Sequence, residues 1–323
     1  MLISVAISGT GGRMNKTIEV KGLRKYYEDV KAVDGISFSV DEGEIFGMLG
    51  PNGAGKTTTI ETVIGLIDRT DGEISVLGMN PDNELGSIKK RIGVQLQSPS
   101  LFPRLTVKET LELFASFYPE PLSVSEAADQ VDLKESFRTQ VESLSGGQRH
   151  RLAVALSLVS NGEIIFLDEP TTGLDPKARR DLWTTITNLR AGGVTVFLTT
   201  HYMDEAEELC NHLVIIDRGE IIARGSPGEL IEQHFPRRAI EFANPGFGER
   251  ERLQLARINT ANNLSFDEEE GRIIIYSETV AETLNDLFEF FQDTGKSLEN
   301  LSVRTATLDD VFLELTGRGI KDE

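Results

Sequence analysis

Gly50-Pro51-Asn52-Gly53-Ala54-Gly55-Lys56-Thr57 constrains the fold of this 323-residue chain more than any other stretch. The apolar run Glu44–Leu49 precedes it and helical periodicity over Lys56–Gly65 follows, so the glycines fall in a strand-to-helix turn. The exposed backbone N–H groups of such a turn, backed by a helix N-terminus, form a cradle for a phosphate-sized anion. Lys56 adds a mobile positive charge, and Thr57 offers a hydroxyl to Mg²⁺. Gly50, Pro51, Asn52, Gly53, Ala54, Gly55, Lys56, Thr57 and Thr58 are therefore nucleotide-binding candidates. A bare glycine-rich turn is the alternative, but the pattern matches at every specified position and in the required context.

Short apolar runs with strand character recur at Thr17–Val20, Glu44–Leu49, Glu163–Leu167, Val194–Thr199 and Leu213–Asp217. Helical periodicity marks Lys56–Gly65, Thr106–Phe117, Gln148–Ser160, Pro176–Arg190 and Met203–Cys210. Alternation of this kind predicts an α/β fold around a largely parallel sheet. The mostly helical stretch over residues 99–160 interrupts it and reads as an inserted helical subdomain. Composition shifts again at His234-Phe235-Pro236-Arg237. Beyond it the pattern is strand (Ala239–Phe242), helix (Gly248–Arg257), strand (Leu264–Asp267), strand (Arg272–Tyr276), helix (Val280–Thr294), strand (Leu301–Thr305), and a helix opened by Thr307. Thr307-Leu308-Asp309-Asp310 has the form of a helix cap, with Asp310 in the place usual for Glu. The order βαββαβα predicts a small ferredoxin-like domain. The expected division is an extension over 1–14, loosely ordered, a main domain over 15–235 and an accessory α/β domain over 236–323.

The run Ile164-Ile165-Phe166-Leu167 leads into Asp168-Glu169. A buried strand ending in a carboxylate can supply a Mg²⁺ ligand, Asp168, while the next carboxylate polarises a water. Strands often end in acids, so this pair gains meaning from the phosphate loop upstream. In Leu144-Ser145-Gly146-Gly147-Gln148, Ser145 can cap a helix, and the two glycines let backbone N–H groups approach a phosphate closely. Gln148 stands 20 residues before Asp168. The combination of loop, acidic strand end and this pentapeptide resembles the ABC ATPase family, from about Ile18 to Ile231.

That resemblance implies a P-loop NTPase cassette: a RecA-like, mostly parallel sheet core, an antiparallel β portion and an inserted helical subdomain. It implies ATP and Mg²⁺ as cofactors, with Lys56, Thr57 and Asp168 as phosphate and metal residues and Glu169 as the catalytic base. Gln97 matches the glutamine that senses the γ-phosphate and the metal, with Gln95 as a nearby competitor. Asp175, in Gly173-Leu174-Asp175, matches the aspartate of the D-loop. His201 matches the switch histidine on the γ-phosphate; His150, His212 and His234 fall in no motif, and no catalytic duty is expected of them. Tyr27 is similar to the aromatic that stacks on adenine, with the adjacent Tyr26 and a plain surface tyrosine pair as alternatives. In this family Ser145, Gly146, Gly147 and Gln148 act on ATP held by the other protomer, which implies a head-to-tail homodimer with ATP at its interface.

Asp168-Glu169-Pro170-Thr171-Thr172-Gly173-Leu174-Asp175-Pro176, Thr199–Ala206 and Leu308–Gly317 resemble the daunorubicin-type branch of exporters. The implied partner is a separate membrane permease docking near Gln97, with Pro99–Arg104, Leu101 and Phe102 in the groove, and the implied place is the cytoplasmic face of the cell membrane. The competing reading is a soluble ABC ATPase acting on DNA or the ribosome. A net charge of −19 opposes it, because affinity for nucleic acid comes mostly from Lys and Arg on phosphates. No apolar run nears the roughly 18 residues of a membrane-spanning helix. The single cysteine, Cys210, excludes an internal disulfide and suits a reducing compartment. The mildly apolar start Met1–Ile7 lacks the charged leader of a signal peptide, and Met14 is a second candidate start. The acidic stretch Asp267–Gly271 reads as a solvated hairpin turn.

Overall fold

A computed structural model describes residues 15–97, 101–235, 238–258, 264–267 and 271–316. The expected extension over 1–14, Pro99 of the docking segment, Pro236 and Arg237, Glu268–Glu270 and Gly317 lie outside the described residues. Two compact units emerge: one runs to Phe46 and resumes over Thr57–Leu198, and the other takes Gly47–Lys56 and the chain from Thr199 onward.

In the first unit, β1 (Lys16–Tyr27) pairs antiparallel with β2 (Val30–Asp41). On its other side β1 pairs with β4 (Asp71–Val76), giving a three-stranded sheet in the order β2-β1-β4. Val33, Ile36, Phe38 and Val40 of β2 are buried, as expected of a strand with one face on a core. Between these elements come the start of β3 (Ile45–Leu49) and α1 (Lys56–Val63); α2 (Pro81–Ile88) and β5 (Ile92–Gln95) follow. The inserted helices are α3 (Val107–Ala115), α4 (Val124–Gln130) and α5 (Gly146–Leu158). β6 (Ile164–Asp168), α6 (Pro176–Ala191) and the first residues of β7 (Thr195–Thr200) complete the unit. β5 and β6 pair in parallel, and β7 and the start of β3 follow in that order. All residues of β6 are buried, as in a parallel strand covered on both faces. Phe197 centres the packing here, with Phe46 and Phe166 at ring-centroid distances of 5.4 and 5.6 Å.

In the second unit the end of β3 leads into the phosphate loop, and α7 (Met203–Leu209), β8 (His212–Asp217), β9 (Glu220–Gly225) and α8 (Pro227–His234) follow. The end of β3, β8 and β9 lie in sequence, with β8 and β9 antiparallel. Then come β10 (Arg238–Ala243), α9 (Glu249–Leu255), β11 (Leu264–Asp267), β12 (Arg272–Ser277), α10 (Val280–Thr294), β13 (Ser302–Thr305) and α11 (Leu308–Thr316). The four strands form an antiparallel sheet in the order β11-β12-β10-β13, the ferredoxin-like arrangement expected from the pattern. Ile240, Phe242, Ile273 and Ile275 pack its inner face against Leu255, Leu287 and Phe291. α10 ends at Gly295, whose φ of 64° is the left-handed conformation that closes helices.

The other face carries a ladder of charges. Glu241 joins Arg272 (3.2 Å) to Arg304 (2.8 Å), and Arg304 grips Asp310 with both arms, at 2.6 and 2.8 Å. Asp310, 2% exposed, also accepts hydrogen bonds from the Tyr276 hydroxyl and the Thr307 backbone N–H. The last of these is the anticipated cap at the start of α11. Glu207 of α7 accepts from Leu308 N at 2.6 Å, anchoring the same helix start. Arg304→Ala strands a buried carboxylate, so we expect a loss of about 3 kcal/mol of stability in urea unfolding. That is the lower end for breaking a buried pair, because Arg304 keeps some solvent access. Arg304→Lys keeps the charge but not the two-armed geometry and should recover only part of the loss.

Candidate functional site

Each unit organises one set of polar groups. In the second unit, Gly50 follows β3 directly, and a side chain there would place Cβ 2.2 Å from the Ile216 carbonyl oxygen, so only glycine fits. Gly53 and Gly55, at φ of 77° and 106°, turn the loop through conformations that L side chains rarely adopt. The loop is pinned by Gly50 N to Thr200 O (3.2 Å) and Gly219 N to Ala54 O (3.0 Å). Lys56, only 4% exposed, donates to the carbonyls of Gly50 (2.7 Å) and Pro51 (3.0 Å). Its ammonium is thus held inside the curl of its own loop, at the first residue of α1. His201 emerges at the end of β7, 8% exposed, its ring 4.1 Å centroid to centroid from Tyr202.

In the first unit, Thr57 donates its hydroxyl to Asp168 Oδ2 at 2.9 Å. Asp168 is the last residue of β6 and fully buried. A hydroxyl and a carboxylate brought together at a strand end are the hard oxygen donors that Mg²⁺ takes beside phosphate oxygens, so the residues fit that ion. Glu169 follows with φ of 48°, a left-handed conformation uncommon outside glycine and costing of order 1–3 kcal/mol. Its carboxylate accepts from Gln97 Nε2 at 3.3 Å and from Thr172 Oγ1 at 3.2 Å. Gln95 and Gln97 are thereby distinguished. Gln95 is buried in β5 with its amide on the carbonyls of Leu96 and Asp168, whereas Gln97, past the strand end, faces the Glu169 carboxylate.

The remaining candidates lie elsewhere in the first unit, and among the described residues none hydrogen-bonds to the acidic group. Tyr27 ends β1 with 45% of its surface exposed and Lys25 Nζ 4.7 Å from its ring centre. Tyr26 differs: its hydroxyl is tied to Asp34. Ser145 caps α5 in a full capping box, its hydroxyl accepting from Gln148 N and Gln148 Oε1 accepting from Ser145 N at 3.0 Å. Gly146 has nothing within 4 Å of where a Cβ would stand, and Gly147 meets only Leu174 at 3.9 Å. The fold of this chain does not require glycine at either position. Asp175 caps α6, and the hydrogen bond from Ala178 N–H, with that from Lys177, holds its carboxyl below the usual range.

A family model described as "ABC transporter" matches residues 33–172. Over nearly its whole length the chain is 37% identical to a "Nod factor export ATP-binding protein I" from Ralstonia nicotianae, covering 97% of this chain and 98% of that one. The protein of the same name from Cupriavidus metallidurans is 36% identical, over 96% of this chain and 100% of its own. This chain belongs to the ATP-binding subunits of ABC transporters. Among solved structures, the ABC subunit resembles the dimeric post-hydrolysis state of the ATP-binding cassette MJ0796 bound to ADP and Pi. That match has a TM-score of 0.61 and 27% identity, over 65% of this chain and 98% of that one. cbiO1 from Clostridium perfringens, part of the ABC transporter complex cbiONQ, matches with a TM-score of 0.60 and 25% identity, over 69% and 96%. As a member of this family the ABC subunit binds and hydrolyses ATP. Of the histidines for which no duty was expected, His150 walls a cavity of about 390 Å³ together with Gln95 and Gln97, and burial lowers its pKa.

Proposed function

We propose that this chain is the ATPase of a multi-subunit exporter, working as a head-to-tail homodimer beneath a separate membrane permease. The observation that carries the reading is full-length similarity, accessory domain included, to proteins named for export. Its motifs resemble those of the daunorubicin-type exporters, and drug, lipid and polysaccharide efflux are the cargo classes that this resemblance suggests. The nucleotide-binding domain spans 15–235 and the accessory domain 236–323. Among the described residues no helix is long and apolar enough to cross a membrane, which fits a partner that supplies the membrane path.

ATP phosphates bind in the loop Gly50–Thr58, where Lys56 exchanges its two loop carbonyls for phosphate oxygens. Tyr27, exposed and with its hydroxyl unengaged by Asp34, stacks on adenine. Thr57 and Asp168, with Gln97 nearby, would hold Mg²⁺, which neutralises charge on the phosphates. Glu169 orients the attacking water and accepts its proton, while His201 steadies the γ-phosphate. Ser145, Gly146, Gly147 and Gln148 close on ATP held by the other protomer, and Asp175 lies at the same interface. Open space at Gly146, and only an ordinary contact with Leu174 at Gly147, support this, since bare backbone there serves an approach from outside the chain. The similarity to a dimeric cassette supports the dimer.

The permease side is supported by an apolar cavity of about 630 Å³ in the first unit, walled by Leu66, Leu96, Leu101, Phe114 and Phe117. Phe102, 54% exposed, stands next to Leu101 in the segment expected to dock. Such a groove accepts a short amphipathic helix. Docked through this groove, the subunit would lie on the cytoplasmic face of the cell membrane. Affinity capture from detergent-solubilised membranes, read by mass spectrometry, should recover one polytopic membrane protein in stoichiometric amount. Recovery of ribosomes or DNA instead would overturn the exporter reading.

A further inference from the structure

α7 begins at Met203, two residues past His201, and closes on Cys210. Cys210 packs on Gly47 of β3 so tightly that a Cβ on Gly47 would stand 2.5 Å from the sulfur, so only glycine admits the contact. Between these ends, Glu207 accepts the backbone N–H of Leu308 at 2.6 Å. That N–H opens α11, and the first amides of a helix have no partner within it. Here the partner is a carboxylate from another helix. α11 is also braced without α7: Asp310 near its start grips Arg304, and Glu314 near its end meets His234 of α8 at 3.0 Å. His201, Gly47, Glu207 and Leu308 all belong to the second unit, with the phosphate loop. Burial, with Asp309, Asp310 and Asp204 nearby, holds the Glu207 carboxyl above the usual range against the pull of the Leu308 amide. A glutamine would accept the same bond without that repulsion, but a charged acceptor makes it shorter and stronger.

We propose that Glu207 is a positioning residue for hydrolysis: by seating α7 on the start of α11, it fixes where the chain leaves β7 and where His201 stands toward the γ-phosphate. This rests on the reading of His201 as a γ-phosphate contact. Without the bond, α7 pivots on its Cys210 end and the His201 end drifts. The loop around Lys56 keeps its own bonds, so the accessory domain governs turnover rather than ATP binding.

The test compares Glu207→Ala and Glu207→Gln in the full chain, alone and in a His201→Ala background. Phosphate release in a single turnover at saturating ATP gives the rate, titration calorimetry the ATP affinity, and thermal melting the stability. Glu207→Ala should slow release about tenfold, as a small misplacement does, and leave the ATP Kd within about twofold. Glu207→Gln keeps an acceptor and sheds the repulsion, so it should recover at least part of the rate and melt no lower than the parent chain. In the His201→Ala background, Glu207→Ala should add no further loss, since both act at one point. An unchanged rate in Glu207→Ala, a loss confined to ATP affinity, or a further tenfold loss in the double variant overturns the proposal. So does a Gln variant as slow as the Ala variant. If His201→Ala is slow while Glu207→Ala is normal, only the role of Glu207 falls; a normal rate in His201→Ala removes the γ-phosphate assignment and Glu207's role with it.

Discussion

Glu169→Gln should slow ATP hydrolysis by about 10²–10⁴-fold while ATP still binds, the range for loss of a positioned general base. The amide keeps the shape of the carboxylate and its place beside Gln97 and Thr172, but it cannot accept the proton of an attacking water. If the proposed dimer closes on ATP and reopens on hydrolysis, the variant should also accumulate as an ATP-bound dimer. Size-exclusion chromatography with and without ATP reads the second effect, and phosphate release reads the first. Wild-type turnover in this variant would eliminate Glu169 as the base. A monomer at saturating ATP would separate closure from binding and count against the shared-site dimer.

Lys56→Ala acts one step earlier. Lys56 is nearly buried and its ammonium rests on two loop carbonyls, so the loop is already shaped around a positive charge. Removing it takes the charged donor from both carbonyls, with Ala54 N still on Pro51 O at 3.2 Å, and takes the cation from the incoming phosphate. A hydrogen bond to a charged group contributes about 1.5–3 kcal/mol, which translates into roughly 10- to 100-fold weaker ATP binding. Titration calorimetry at constant ionic strength measures it directly. Undiminished affinity would move the phosphate contact away from Lys56. A large fall in melting temperature without nucleotide would instead make Lys56 chiefly a brace of its own loop.

The sheet from β10 to β13 and its helices were legible almost element by element. Val280–Thr294 is a helix with the bounds expected from its periodicity, and the βαββαβα order carries over into the sheet order. Local signals there agree with the packing, down to Asp310 capping the helix that Thr307 opens. β1 was legible only in its first residues, because it runs on to Tyr27 through a register shift near Gly22, whose φ is 58°. Past that bulge the apolar alternation changes phase, and Lys21, Arg24 and Lys25 hide the strand. β2 and β4 were passed over because buried and exposed positions mix along them without an apolar run, and β9 because its apolar run, Ile221-Ile222-Ala223, is short and nowhere fully buried. Near the acids, spacing favoured Gln97 over its competitor Gln95; in the structure β5 ends at Gln95, and Gln97, past the strand end, faces the Glu169 carboxylate.

Gly146 faces open space and Gly147 meets only Leu174 at 3.9 Å within their own chain, and that has a kinetic consequence for the proposed dimer. A lone subunit folds completely yet owns only half of each reaction centre. Its specific activity should therefore climb with protein concentration, second order when dilute and first order once pairing saturates. On a membrane, two copies held by one permease would stay above that threshold at any cellular abundance. Free subunits, released or made in excess, would idle without consuming ATP.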